Sequence, residues 1–133
     1  MTAETRTPRV VIADDDPDIR TLVAIAVRRA GLDLVGEAGD GDEAWSRIST
    51  LVPDLVILDV SMPGLSGLEV CRLVRDGEAT SGILVLVLSA GVNAASRKAG
   101  LDAGATEYLT KPFSPRELAA RLTELASRIT MTP

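Results

Sequence analysis

Short apolar runs alternate along the chain with longer stretches in which apolar residues recur at helical spacing. The runs are Val10-Val11-Ile12-Ala13, Leu34-Val35-Gly36, Leu55-Val56-Ile57-Leu58, Ile83-Leu84-Val85-Leu86-Val87-Leu88 and a weaker Tyr108-Leu109. Three of them are almost continuously apolar, as strands buried on both faces require. Between the runs, Ile19, Leu22, Val23 and Ala26, and later Leu118, Leu122, Leu125 and Ile129, trace one-sided helices. Ser114-Pro115-Arg116-Glu117 reads as a capping box with proline at the first helical position, and Asp16-Pro17 opens the first helix similarly. The pattern predicts strands over residues 9–14, 33–38, 54–59, 83–89 and 106–110 and helices over 17–30, 41–51, 66–76, 93–103 and 115–129. Five strand-helix pairs of this kind imply an α/β fold with a parallel sheet and right-handed crossovers. No repeat, low-complexity segment or long linker interrupts them, so one domain over 1–133 with a core of about 8–129 is expected.

Composition narrows the function classes. The chain has 133 residues, of which 46% are hydrophobic, enough for one buried core. Its 14 Lys+Arg against 19 Asp+Glu give a net charge of −5, which leaves no basic surface for a phosphate backbone, so no direct nucleic-acid partner is expected. No apolar run approaches the ~20 residues that cross a bilayer, and the N-terminus lacks the apolar stretch of a signal peptide; a cytoplasmic protein with no membrane partner is expected. There is no histidine and a single cysteine, Cys71. That excludes the usual zinc sites, Ser-His-Asp and Cys-His catalysis, and an internal disulfide. Cys71 is expected as a small buried apolar residue, and Trp45 as packing in the second helix.

In an open parallel sheet, ligands bind beyond the carboxyl ends of the strands, where strand order reverses. The predicted strand ends here are polar. Strand one runs into Asp14-Asp15-Asp16, strand three ends at Asp59, strand four at Ser89, and strand five runs into Thr110-Lys111-Pro112. Singly, each has an ordinary explanation: acids that favour a helix N-terminus, a turn acid before Pro63-Gly64, a turn serine, a loop lysine. Jointly they deliver several carboxylates, a hydroxyl and an ammonium to one rim, an inventory for an oxygen-liganded cation and a phosphoryl group. Two carboxylates ~5 Å apart repel by about 3 kcal/mol at an effective dielectric near 20. One lysine offsets only part of such crowding, which points to a divalent cation, and oxygen-only ligands suit Mg²⁺ better than zinc or copper.

These residues closely resemble the receiver domains of two-component response regulators. The likeness covers roughly residues 8 to 129 and rests on Ala13-Asp14-Asp15-Asp16-Pro17, Leu58-Asp59-Val60-Ser61-Met62-Pro63-Gly64 with Gly67, Leu88-Ser89-Ala90, and Lys111-Pro112-Phe113, in that order. It implies a (βα)5 flavodoxin-like, doubly wound sheet of order 2-1-3-4-5. It implies that Asp59 is the phosphoacceptor for a phosphohistidine on a sensor histidine kinase or phosphotransfer protein. Asp14, Asp15, Asp59 and the backbone carbonyl of Ser61 would hold Mg²⁺, with Asp14 acting largely through water. Lys111, whose peptide bond to Pro112 resembles the family's cis peptide, and Ser89 would contact the phosphoryl oxygens, and Tyr108 would be the switch aromatic. The face of helix four, strand five and helix five would then change to control a downstream protein or output domain, and the resemblance also allows a homodimer through helices four and five. Ser61 and Gly91 would influence water access to the acyl phosphate, with glycine at 91 leaving that side open. Gly100, inside the predicted fourth helix, suggests that this helix is the least stable element.

The implied role is regulatory rather than enzymatic, with self-catalysed phosphorylation and dephosphorylation. A small phosphatase with an aspartyl-phosphate intermediate would normally carry an acid two residues after its nucleophile, where this chain has Ser61. A pseudo-receiver would usually lack the acceptor or the lysine, and this chain has both. The resemblance is compatible with a stand-alone receiver and with a piece of a longer regulator.

Overall fold

The structure, a computed structural model, describes residues 7–91 and 94–130. Ten elements follow one another: β1 Arg9–Ala13, α1 Pro17–Arg29, β2 Asp33–Ala38, α2 Gly41–Leu51, β3 Leu55–Asp59, α3 Gly67–Asp76, β4 Leu84–Ser89, α4 Ala94–Asp102, β5 Glu107–Thr110 and α5 Pro115–Thr130. Each predicted element is present within a residue or so at either end. Asn93, the first residue predicted for the fourth helix, lies outside the described residues, as do the ends of the expected 1–133 unit.

The strands form one parallel sheet in the order β2-β1-β3-β4-β5. The three continuously apolar runs occupy its centre: β3 is buried at every position, and β1 and β4 at every position but the first. Helices cover both faces. On one, α1 and α5 bury Val23, Val27, Leu118, Leu122 and Leu125 against Val10, Ile12, Ile57 and Leu86. On the other, Ile48 of α2 and Val70, Cys71 and Val74 of α3 pack on Val11, Val56, Leu58, Val85 and Val87. A fully buried leucine contributes roughly 1.5–3 kcal/mol of transfer free energy, so the alternation of strand sides fixes which helix goes where.

Local chemistry sets the helix starts. Asp16 caps α1, its carboxylate accepting the N–H groups of Asp18 at 2.9 Å and Ile19 at 3.4 Å. The Ser114 hydroxyl accepts Glu117 N–H at 3.0 Å, as the capping signal predicts. A reciprocal capping box, Ser66 with Glu69, opens α3; its S-x-x-E signature was available in the sequence.

Candidate functional site

Strand order reverses between β1 and β3, whose last residues run side by side: Ala13 pairs with Leu58, and the next residues are Asp14 and Asp59. The parallel register therefore sets the two carboxylates next to each other by construction. β4 adds Ser89 opposite Thr110 of β5, and the following residue, Lys111, donates its N–H to Ser89 O at 2.7 Å. The Lys111-Pro112 peptide is cis, as the resemblance implies.

The triplet of acids divides its work. Asp14 is buried, and its carboxylate accepts from Lys111 Nζ at 3.1 Å and from Asp16 N at 2.9 Å. Asp15 is exposed at the rim, and Asp16 is taken up as the helix cap. Asp59 is buried, with Lys111 Nζ 3.0 Å from its Oδ1. Asp14, Asp15 and Asp59 each offer a carboxylate oxygen within 4.8 Å of the others. Hard oxygen donors that close together repel strongly unless a cation sits among them, so the donor set fits a small divalent ion of the Mg²⁺ type. The acidic cluster itself is thus present as expected.

Electrostatics reflects two buried acids and one base. Burial pushes the Asp59 carboxyl above its ordinary range; the hydrogen bond from Lys111 offsets part of this, while the charges of Asp14 and Asp15 add to it. Burial works against the Lys111 ammonium, but its bonds to Asp59 and Asp14 outweigh that and hold it above the usual lysine value. Away from the site, burial also pushes the Cys71 thiol up, in keeping with its expected packing role.

All of these groups line one open cavity of about 530 Å³, together with Ser61, Ser89, Ala90, Gly91 and Ser96. The Ser89 hydroxyl accepts Gly91 N–H at 2.9 Å. Tyr108 is buried behind it and donates its O–H to Gly91 O at 2.6 Å, with the Arg97 guanidinium 5.9 Å from the ring centroid. The space that a side chain at Gly91 would fill is not empty but taken by Ser96, which lines the same cavity. The physical reason is tertiary: the first turn of α4 brings Ser96 against Gly91.

Sequence reasoning missed two residues here. Arg20 reaches from α1 to donate to Asp14 O at 2.7 Å and lies 3.5 Å from Glu37 on β2, holding the loop that carries Asp14 and Asp15. A basic residue six positions after Asp14 was the only signal. Ser96 had none, since its place in the cavity depends on where α4 lies.

The family model described as response regulator receiver domain matches residues 10–123. The chain is 39% identical over 119 residues to the DNA-binding response regulator MtrA of Mycolicibacterium smegmatis, covering 90% of this chain and 50% of that protein. It is 41% identical over 126 residues to the DNA-binding dual master transcriptional regulator RpaA of Synechocystis sp., covering 95% of this chain and 52% of that one. Among solved structures, the chemotaxis response regulator CheY4 of Vibrio cholerae superposes with a TM-score of 0.83 at 30% identity, covering 90% of this chain and 99% of that chain.

The chain spans about half the length of the curated relatives it matches. Their names correct the expectation that nucleic acid is no partner of this protein, since both are called DNA-binding. A net charge of −5 describes the field of these 133 residues alone, and it carries no information about contacts made by a longer protein of this kind. Among the described residues no helix is long and apolar enough to cross a membrane.

Proposed function

The chain belongs to the response regulator receiver domains and is a receiver domain of two-component signalling, and we propose that it works by accepting a phosphoryl group on Asp59. The observation that carries this is the position of Lys111 Nζ, 3.1 Å from Asp14 and 3.0 Å from Asp59, inside a cavity edged by a third carboxylate and the Ser89 hydroxyl. In the proposed step an Asp59 carboxylate oxygen forms a bond to phosphorus as the phosphorus–nitrogen bond of a kinase phosphohistidine breaks. Little covalent help is needed from the protein, because such transfers depend mainly on positioning and charge. Lys111 would neutralise one phosphoryl oxygen, and Ser89 would donate to another. Asp14, Asp15, Asp59 and the Ser61 carbonyl would hold Mg²⁺, which when bound supplies the remaining positive charge.

In this reading Ser89 and Tyr108 report the phosphoryl group to the α4-β5-α5 face, because both converge on Gly91. Residues 8–129 would act as one receiver unit, regulatory rather than metabolic and located in the cytoplasm. Its output would be a DNA-binding function like those named for MtrA and RpaA.

The test is the intact mass after incubation with acetyl phosphate and Mg²⁺. One added phosphoryl group is expected, absent in Asp59→Asn and with chelator. No adduct, even with a phosphohistidine donor and rapid quench, would sink the proposal. The metal assignment has its own check: millimolar Mg²⁺ should raise the melting temperature by binding the folded state, and Asp15→Asn should abolish the rise. An unchanged melting curve at every Mg²⁺ concentration would refute that assignment.

A further inference from the structure

The end of β4 is pinned from two sides. Gly91 N–H is held by the Ser89 hydroxyl at 2.9 Å, and Gly91 C=O accepts the Tyr108 O–H at 2.6 Å. A side chain starting at residue 91 would have to enter space that is already taken. Its Cβ would stand 2.5 Å from Ser96 Oγ, 2.8 Å from Ser96 Cβ and 3.3 Å from Ser89 Oγ. The first turn of α4 thus places a hydroxyl where residue 91 has no side chain to put. Ser96 is only partly buried and lines the same cavity as Asp59, Ser61 and Lys111.

From this geometry we infer that Ser96 is a positioning residue for the water that hydrolyses phosphorylated Asp59, and so helps set how long the signal lasts. The inference rests on the phosphoacceptor reading above. Hydrolysis requires a water in line with the bond to be broken, on the side of phosphorus away from Asp59. Asp59 lies at the buried floor of the cavity with the half-buried Lys111 beside it, so this water enters from the solvent side, where Ser61, Gly91 and Ser96 lie. The water oxygen bonds to phosphorus, and the bond from phosphorus to the Asp59 oxygen breaks with its electron pair returning to the carboxylate. One water proton stays on the departing phosphate and the other passes to solvent. A hydroxyl both donates and accepts, so Ser96 can hold the water without gaining or losing a proton. At this edge Ala90 and Gly91 offer no side chain that can do so, which leaves the hydroxyls of Ser96 and Ser61.

Phosphoryl transfer from acetyl phosphate to Asp59 involves no attacking water, which separates a water-positioning role from a structural one. The experiment loads wild type, Ser96→Ala, Ser96→Thr and Gly91→Ala with radiolabelled acetyl phosphate and Mg²⁺, removes the donor, and follows loss of label from Asp59. The loading rate is measured alongside. Hydrolysis in Ser96→Ala should slow by about three- to tenfold, as loss of one hydrogen bond predicts, and by more than loading slows. Ser96→Thr, which keeps the hydroxyl, should restore most of the rate. Gly91→Ala should also slow hydrolysis, because its methyl group displaces the Ser96 side chain, and Gly91→Ala combined with Ser96→Ala should lose no more than Ser96→Ala alone. Hydrolysis at or above the wild-type rate in Ser96→Ala, or loading and hydrolysis falling together, would overturn the inference. If Ser96→Ala does not fold, Gly91→Ala decides in the same way. Failure of wild type itself to take up label would instead refute the phosphoacceptor reading.

Discussion

α3 and α4 face the same side of the sheet and are held in very different ways. α3 starts from a reciprocal capping box and buries Gly67, Val70, Cys71 and Val74. Near its C-terminus Arg75 donates to Gly104 O at 2.8 Å, Ser81 O at 2.9 Å and Ile83 O at 2.5 Å, tying the helix to the approach to β4 and the turn before β5. α4 buries one residue, Gly100, and leaves Leu101 45% exposed. It meets the rest of the molecule largely through Tyr108: Gly100 lies against the ring, and Arg97 lies near its face. The difference teaches where a change at the acidic cavity can be expressed. An element fixed by several buried side chains resists displacement, whereas one held chiefly by an aromatic residue among the described contacts follows that residue.

The largest expected effect that sharpens this contrast is on stability. Val70→Ala removes two buried methyl groups from α3 and should cost about 2 kcal/mol in urea unfolding, while Leu101→Ala on α4 should change stability by less than about 0.5 kcal/mol. Equal costs would erase the contrast. Native-state amide exchange comes next: α4 amides should exchange at least about tenfold faster than those of α3, and a phosphoryl analogue should narrow the gap. Protection of α4 matching that of α1 and α5, with and without the analogue, would count against it. The smallest effect belongs to Gly100→Ala. Helix propensity alone would stabilise the variant by about 1 kcal/mol, but the new Cβ would stand 3.0 Å from Tyr108 Cδ2, so the ring must give way. The net gain should therefore fall well short of the propensity value. A full gain would show that Tyr108 does not anchor α4.

Much of this molecule was legible before any coordinates. Val10 to Ala13, Leu55 to Leu58 and Leu84 to Leu88 announced central strands because a strand covered on both faces has no polar side to show. The strand-end acids, Ser89 and Lys111 announced a site because polar residues at the mouths of apolar strands have few structural reasons to coincide. What was not legible came from contacts between distant segments. Asp16-Pro17 announced the start of α1, but nothing in Asp14-Asp15 says that the first acid turns inward and the second stays at the rim. Arg20 reads as an ordinary surface arginine until its guanidinium is seen on the Asp14 carbonyl. Gly91 read as an open edge, and Ser96 as an ordinary helix residue, because the chain does not record that the two come together.

By itself, then, the sequence determined the alternation of elements, the sheet's interior strands and the chemical inventory at their ends, since periodicity and residue type act locally. Only the tertiary structure decided which carboxylates share Lys111, which glycine makes room for Ser96, and which helix rests on Tyr108. Those outcomes depend on register and on the approach of one layer to another, where a few tenths of an ångström separate a contact from a clash and no local pattern holds the answer.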